Sequence, residues 1–353
     1  MHDCFSYDII EWGKPFQLRK REISDPIGKQ VLIKVIASGL CHSDLHIQKG
    51  SFDLGEKGTF SMKERGAKLP VTIGHEIAGE VVRVGSEVSN VSIGQSIIVF
   101  PWIGCGNCLA CDEERESDCT SMNIIGLNQN GGFASHVLIQ DEKFVFDITG
   151  LDPAKVAPFA CSGLTVFNGL SKVGPLRQDE WLVILGAGGL GLNAISIAKG
   201  MGYKNVAAVD IDNEKLKAAL EIGADKILNS KLNEPINSLV ELCDGKVFGV
   251  LDTFGSKDTV ELAINSLTKS GRYVTVGLYG GDFTMPQVWL PQKAMTVRGS
   301  HVGNTPQLKA LIEMYRAGKI KEIPINKRPL AEINSAMKDL EHGNVTGRVI
   351  LEP

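Results

Sequence analysis

The stretch from Trp181 to Ala198 constrains the fold most, because it is apolar enough to score as a membrane span and yet carries four glycines. Trp181–Leu185 is a short apolar run, and Gly186, Gly188, Gly189 and Gly191 follow it directly. Apolar residues then recur at helical spacing from Leu190 to Met201. The glycines, with Asn193 and Ser196 beyond them, predict a buried strand that turns sharply into a helix rather than a passage through a membrane.

Gly186-x-Gly188-x-x-Gly191 has the spacing of a turn that cradles phosphate. Alone the pattern is weakly specific in a chain with 39 glycines. Its context supports it: a strand precedes it, a helix follows, and Asp210 closes the next apolar run, Val206–Val209, 19 residues beyond Gly191. In such a turn Gly186 permits the reversal, Gly188 lets a pyrophosphate approach the backbone, and Gly191 lets helix and strand pack closely. The helix N-terminus adds free N–H groups and positive dipole. Asp210 suits the hydroxyls of an adenosine ribose and would repel a 2′-phosphate, which favours NAD over NADP. The plainer alternative makes Asp210 the cap of a helix starting near Asn213.

The alternation continues downstream with Asn213–Ile222, Phe248–Leu251, Thr259–Leu267 and Tyr273–Val276, which predicts a parallel, doubly wound α/β sheet. The first ~150 residues read differently, as mostly β with many turns, and no long helical period precedes Pro153. Val31–Ala37, Ile77–Val84 and Ser96–Phe100 are the clearest strands there. After about Val297 come two helix candidates, Thr305–Ala317 and Leu330–Leu340, and a last strand, Arg348–Leu351. That tail is too short for a domain, so it is expected to return to the first unit. The expected boundaries are 1–160, 161–297 and 298–353; two domains are also what 353 residues predict.

Eight cysteines without an apolar leader after Met1–Tyr7 predict a cytoplasmic chain with reduced thiols rather than a disulfide framework. Clustered cysteines are then expected to bind metal. Cys105, Cys108, Cys111 and Cys119 fall within fifteen residues, the short spacing of a closed tetrahedral zinc site in a loop with little core. Chance clustering of buried thiols is the alternative, and four in so short a stretch argue against it. A second group is dispersed: Cys41 and His42, Ser43, Asp44 and His46 beside it, then Gly74-His75-Glu76, then Cys161. Three such ligands with an open fourth position would make a catalytic zinc, although spacing only permits this and His75 could be a core histidine. Gly79 stands where H-E-x-x-H needs its second histidine, which excludes that metalloprotease helix. The adjacent His75-Glu76 likewise does not match a zinc deaminase. A net charge of −4, with only the short basic stretches Arg19–Arg21 and Lys63–Lys68, predicts no nucleic-acid partner.

At these residues the sequence resembles the zinc-containing medium-chain alcohol dehydrogenases. Gly74-His75-Glu76-x2-Gly79-x5-Gly85-x2-Val88 matches that family's zinc signature at each fixed position, and the similarity runs essentially end to end. It is strongest to bacterial and archaeal members with a loop like Gly50–Pro70. The resemblance implies a GroES-like β-rich catalytic domain, made from both chain ends, around a Rossmann domain. It implies Cys41, His75 and Cys161 as catalytic zinc ligands, Glu76 as a carboxylate able to enter the shell, and Asp44 as the group orienting the histidine. Ser43 and His46 correspond to a proton relay, and His42 and Arg348 to cofactor-phosphate contacts. Lys215 corresponds to a ribose contact, Thr165 and Leu190 to the nicotinamide lining, and Trp102 to a pocket wall. Ile124 and Ile125 replace the bulky aromatic common in close relatives, which leaves substrate size open.

The implied activity interconverts primary or secondary alcohols with aldehydes or ketones by hydride transfer to NAD, with two zinc ions per chain. A carbonyl reductase or polyol dehydrogenase of the same family is the nearest rival. A non-catalytic zinc- and nucleotide-binding relative is disfavoured by the presence of every expected open-site residue. The resemblance also implies a homotetramer, with a homodimer as the alternative. Cys4 and Cys243 are expected to be free thiols outside the chemistry.

Overall fold

In the computed structural model, residues 2–231 and 233–353 are described. Two sheets organise them. The first is seven-stranded and takes strands from both chain ends. Its path runs Val145–Asp147, Ser96–Val99, Glu76–Val84, Val31–Gly39, Arg348–Glu352, Ile325–Pro329, and His136–Ile139 also pairs with Val31–Gly39. The chain end is thus inserted beside the central strand, where Ile350 and Leu351 pair with Gly39 and Ser38. Val31–Gly39 is buried except at Lys34 and Ile36, which explains why it reads as a near-continuous apolar run rather than an alternation.

The second sheet is six-stranded and entirely parallel. Its order is Lys226–Asn229, Asn205–Asp210, Trp181–Leu185, Val247–Asp252, Arg272–Thr275, Thr296–Gly299. The order reverses at Trp181–Leu185, so the crevice beyond the carboxyl ends of this strand and Val247–Asp252 is the topological switch point. Trp181–Leu185 is fully buried, and helix Gly189–Gly200 follows it. The polar residues in the apolar window are satisfied internally: Asn193 Nδ2 donates to Ser162 Oγ at 3.2 Å and Ser196 Oγ to the Lys321 carbonyl at 2.7 Å. No helix among the described residues is long and apolar enough to cross a membrane.

Several elements depart from the expected pattern. Helix His42–Lys49 lies in the part read as strands and turns. At eight residues, with only Asp44, Leu45 and Ile47 buried, it is too short to show a period. Strand Lys226–Asn229 and helix Pro235–Leu242 complete the parallel sheet at an edge where the apolar signal is thin. The Gly50–Pro70 loop carries a small hairpin, Ser51–Asp53 with Thr59–Ser61. It also reaches across the molecule, since the Glu56 N–H donates to Asp282 Oδ2 at 2.6 Å.

Candidate metal centres and dinucleotide crevice

Cys41 begins the helix His42–Lys49, His75 precedes the strand Glu76–Val84, and Cys161 begins the helix Ser162–Val173. Folding brings these distant residues together. One ligand atom from each lies within 4.8 Å of the others, and all three side chains are buried. Cys41 Sγ and Cys161 Sγ stand 3.9 Å apart as free thiols. The hydrogen bond they share draws Cys41 well below the usual thiol range and pushes Cys161 well above it.

Asp44 ties the group together from behind. Its Oδ2 accepts the Cys41 N–H at 2.9 Å and its Oδ1 lies 3.2 Å from His75 Nδ1. Burial alone would keep His75 neutral, but Asp44 and then Cys41 hold its pKa well above the usual value. Burial pushes the Asp44 carboxyl up, with His75 opposing it. The carboxylate fixes the ring orientation and leaves Nε2 as the free ligand atom. Nε2 is buried without a hydrogen-bond partner among the described residues, a costly state for a polar atom. Two thiols and an imidazole are donors that zinc takes with a fourth position open, so these residues fit that ion.

Glu76, expected at the same centre, is engaged elsewhere. Its Oε1 accepts from the Arg348 guanidinium and from the Ser162 N–H at 3.1 Å, and all of this is buried. Burial raises the Glu76 pKa and Arg348 pulls it back. Arg348 Cδ also packs where Gly189 has no side chain: a Cβ there would stand 2.4 Å away. The C-terminal strand therefore touches both Glu76, the neighbour of His75 in sequence, and the glycine turn.

Ser43 and His46 sit three residues apart on one helix, both half-buried, and no side-chain hydrogen bond joins them among the described residues. Burial, and then Lys49, lowers the His46 pKa. His42 is exposed on the same helix. The two expected pocket walls meet: Ile124 pairs with Trp102 in a two-stranded ladder, and both are buried. Trp102 is fixed in the core beside the ligand trio. Its Nε1 donates to the Ala160 carbonyl at 3.0 Å, and its ring lies edge-on to His75 at 5.5 Å.

The glycine turn lies in the crevice. Gly186 has φ +90°, and a Cβ on Gly191 would stand 1.8 Å from the Gly186 carbonyl oxygen, so neither position accepts a side chain. A Cβ on Gly188 would meet nothing within 4 Å, which leaves the backbone open to a pyrophosphate. Asp210 Oδ2 accepts the Ala187 N–H at 2.6 Å, while Asp212, not Asp210, caps helix Asn213–Ile222. The capping alternative for Asp210 is thereby excluded. Thr165 is buried one turn beyond Cys161, Leu190 is half-buried at the helix start, and Lys215 is carried by helix Asn213–Ile222.

The second thiol cluster is a lobe of its own. Cys105, Cys108, Cys111 and Cys119 place their sulfurs within 4.8 Å of one another around the short helix Leu109–Asp112. Burial would raise Cys119, but N–H groups of Cys105 and Ser121 outweigh it and bring the pKa down to about 7. No disulfide forms among these cysteines, and only Glu116 and Cys119 are buried between Cys105 and Cys119, so a tetrahedral metal fits as the core this lobe lacks. Cys4 and Cys243 are buried free thiols; burial pushes Cys243 up to about 12.

Sequence reasoning missed three positions. Asp252 is fully buried and accepts the N–H groups of Phe254 and Gly255 and the Tyr273 hydroxyl, each at 2.9 Å, which holds the far wall of the crevice. The rings of Phe52 and His301 lie 4.9 Å from His46 and 5.8 Å from Trp102. Only the strand-end position of Asp252 could have been read from sequence.

A parallel sheet with a glycine turn at its switch point, joined to a β-rich unit with a three-ligand and a four-thiol centre, defines a dinucleotide-binding metalloprotein. The comparisons refine that class. Residues 28–149 match the alcohol dehydrogenase GroES-like domain, and residues 189–317 match the zinc-binding dehydrogenase domain. The chain is 36% identical to an NAD-dependent alcohol dehydrogenase of Sulfurisphaera tokodaii, covering 98% of this chain and 99% of that one. It is 35% identical, over the same shares, to another from Saccharolobus solfataricus. The crystal structure of the alcohol dehydrogenase from Aeropyrum pernix superposes with a TM-score of 0.90 at 30% identity, covering 99% and 100% of the two chains. The chain belongs to the zinc-containing medium-chain alcohol dehydrogenase family.

Proposed function

We infer that the chain is an oxidoreductase that interconverts alcohols with aldehydes or ketones using NAD. The observation that carries this is the buried trio Cys41, His75 and Cys161, with its unpaired imidazole nitrogen, in a fold whose crevice carries the glycine turn. When bound, zinc supplies a Lewis acid that lowers the pKa of an alcohol hydroxyl, and NAD supplies the hydride acceptor.

The chain's own residues do the rest. Cys41, His75 and Cys161 hold the metal, and Asp44 keeps the histidine in the ligating tautomer. Ser43 Oγ takes the hydroxyl proton and hands it towards His46 through an intervening hydroxyl or water, the two side chains not touching directly. A lowered pKa keeps His46 neutral, and so able to accept that proton, near pH 7. Trp102 and Ile124 wall the substrate. The glycine turn and His42 would hold phosphate, Asp210 and Lys215 the ribose, and Thr165 and Leu190 the nicotinamide. Arg348, packed against Gly189, would place its charge beside the turn that holds the pyrophosphate.

A second zinc in the four-cysteine lobe is structural. The domains divide at 1–160, 161–297 and 298–353. The chain acts as a cytoplasmic homotetramer or homodimer. Support for the compartment is that all eight cysteines are free. Support for assembly is the edge strand Thr296–Gly299, exposed along its whole length, together with the exposed Leu278, Tyr279 and Phe283. The test is formation of NADH by the zinc-loaded protein with a panel of primary and secondary alcohols. Turnover is expected to vanish in His75→Ala, and its persistence there would defeat the assignment.

A further inference from the structure

The Gly50–Pro70 loop places one cation that no ion pair among the described residues neutralises. Arg65 is half-buried, and among the described residues no carboxylate lies within ion-pair distance of it. The adjacent carboxylate is turned away: Glu64 accepts from both the N–H and the hydroxyl of Ser61 at 2.8 Å. A partly desolvated guanidinium without an anion is an uncompensated cost, and burial does lower its pKa. Its planar fork matches a carboxylate in bidentate geometry.

The position of Arg65 says where that anion would sit. Its guanidinium carbon lies 5.4 Å from the centre of the Phe52 ring, and Phe52 in turn lies against the relay histidine His46. Opposite, Arg65 is one of the charges holding the His301 imidazole below its usual range, after burial and against the Ser117 carbonyl. His301 leads through Trp102 to the ligand His75. The backbone is clamped as well. Asn128 Nδ2 donates to the Arg65 carbonyl at 2.9 Å, while Asn128 Oδ1 accepts the N–H of the pocket residue Ile124 at 3.1 Å. Shielding of Phe52 alone would need neither the clamp nor the absence of a partner.

We propose that Arg65 is a specificity residue that binds a carboxylate at the far end of the substrate, so that the preferred alcohols are short ω-hydroxycarboxylates. This rests on the alcohol dehydrogenase reading above. In the reaction HO–CH2–R–COO− + NAD+ → O=CH–R–COO− + NADH + H+, the carbinol carbon loses a hydride to NAD and its hydroxyl a proton, and the carboxylate is bound unchanged.

The test compares kcat/KM for ω-hydroxycarboxylates with that for 1-alkanols of the same chain length. The expected ratio favours the hydroxycarboxylate by roughly tenfold, as one charge-assisted bidentate pair supplies. Arg65→Met should remove most of that preference, and Arg65→Glu should invert it towards ω-amino alcohols, with thermal melts showing that both variants fold. In the unaltered enzyme, added salt should raise KM for the hydroxycarboxylate and not for the alkanol, a readout that needs no variant. A ratio at or below one, a ratio unchanged in Arg65→Met, or equal salt response of both substrates overturns the proposal and leaves the alcohol dehydrogenase reading standing. Absence of NADH formation with every alcohol overturns both.

Discussion

Glu76 and Arg348 neutralise each other in the interior, each no more than 2% exposed, one at the start of a central strand and the other on the strand inserted from the C-terminus. The pair links the strand that follows His75, and the Ser162 N–H that follows Cys161, to the glycine turn, because Arg348 also packs on Gly189. Removing one partner strands the other charge away from water, and that is more costly than losing a surface pair. Glu76→Ala is therefore expected to cost about 3–5 kcal/mol in chemical denaturation. Replacing both residues should cost less than the two single losses added together. Independent, additive losses would mean that the pair does not hold the interior as described.

The four-cysteine lobe has little core except its thiols. Metal analysis of the purified protein should find about two zinc ions per chain, falling to about one in Cys111→Ser. The same variant should expose the segment from Cys105 to Cys119 to proteolysis while the parallel sheet keeps its protection. An unchanged metal content would remove the lobe from the account.

Asp210 accepts the Ala187 N–H and presents its charge at the turn. Asp210→Asn keeps much of the geometry and removes the repulsion towards a 2′-phosphate. The preference for NAD over NADP, measured as a ratio of kcat/KM values, should fall by about tenfold or more, each factor of ten being about 1.4 kcal/mol. A ratio that does not move would mean that the charge plays no part in cofactor choice.

His136 gives the stability a pH dependence of known sign. Burial, then His2 and Lys34, bring its pKa down from 6.5 to about 4. Its Nε2 lies 3.0 Å from that of His2, and its Nδ1 lies 3.0 Å from Ser135 Oγ. Between these pH values the unfolded chain takes up a proton that the native imidazole refuses. The contribution is thus complete above about pH 6.5, is lost as the pH falls towards 4, and changes no further below that. Unfolding midpoints measured across this range should fall less steeply in His136→Gln than in the unaltered protein. Identical slopes would contradict the assignment.

What could be read from the sequence was whatever lies contiguous in it. The thiols of Cys105, Cys108, Cys111 and Cys119 are near neighbours along the chain, so their spacing carries their geometry. Trp181–Leu185, the glycine turn and the following helix form one local unit, and Asp210 stands at a fixed distance beyond it. Cys41, His75 and Cys161 are different, because only tertiary structure brings them together, and spacing alone left His75 open as a core residue. Neither the Glu76–Arg348 pair nor the clamp that Asn128 forms between Arg65 and Ile124 leaves any periodic trace. Helix His42–Lys49 was hidden because it has too few buried positions to show a period, although it carries Ser43 and His46, the proposed relay.

The proposed reaction moves hydride from an alcohol carbon to NAD at a centre built on Cys41, His75 and Cys161. The most direct measurement is the fate of deuterium on the carbinol carbon of a primary alcohol, followed by mass spectrometry of the reduced nicotinamide. One deuterium should arrive from the alcohol in the zinc-loaded enzyme, and none should arrive in Cys161→Ser or after chelator treatment. Unlabelled product, or equal labelling without the cysteine, would rule out hydride transfer at this centre.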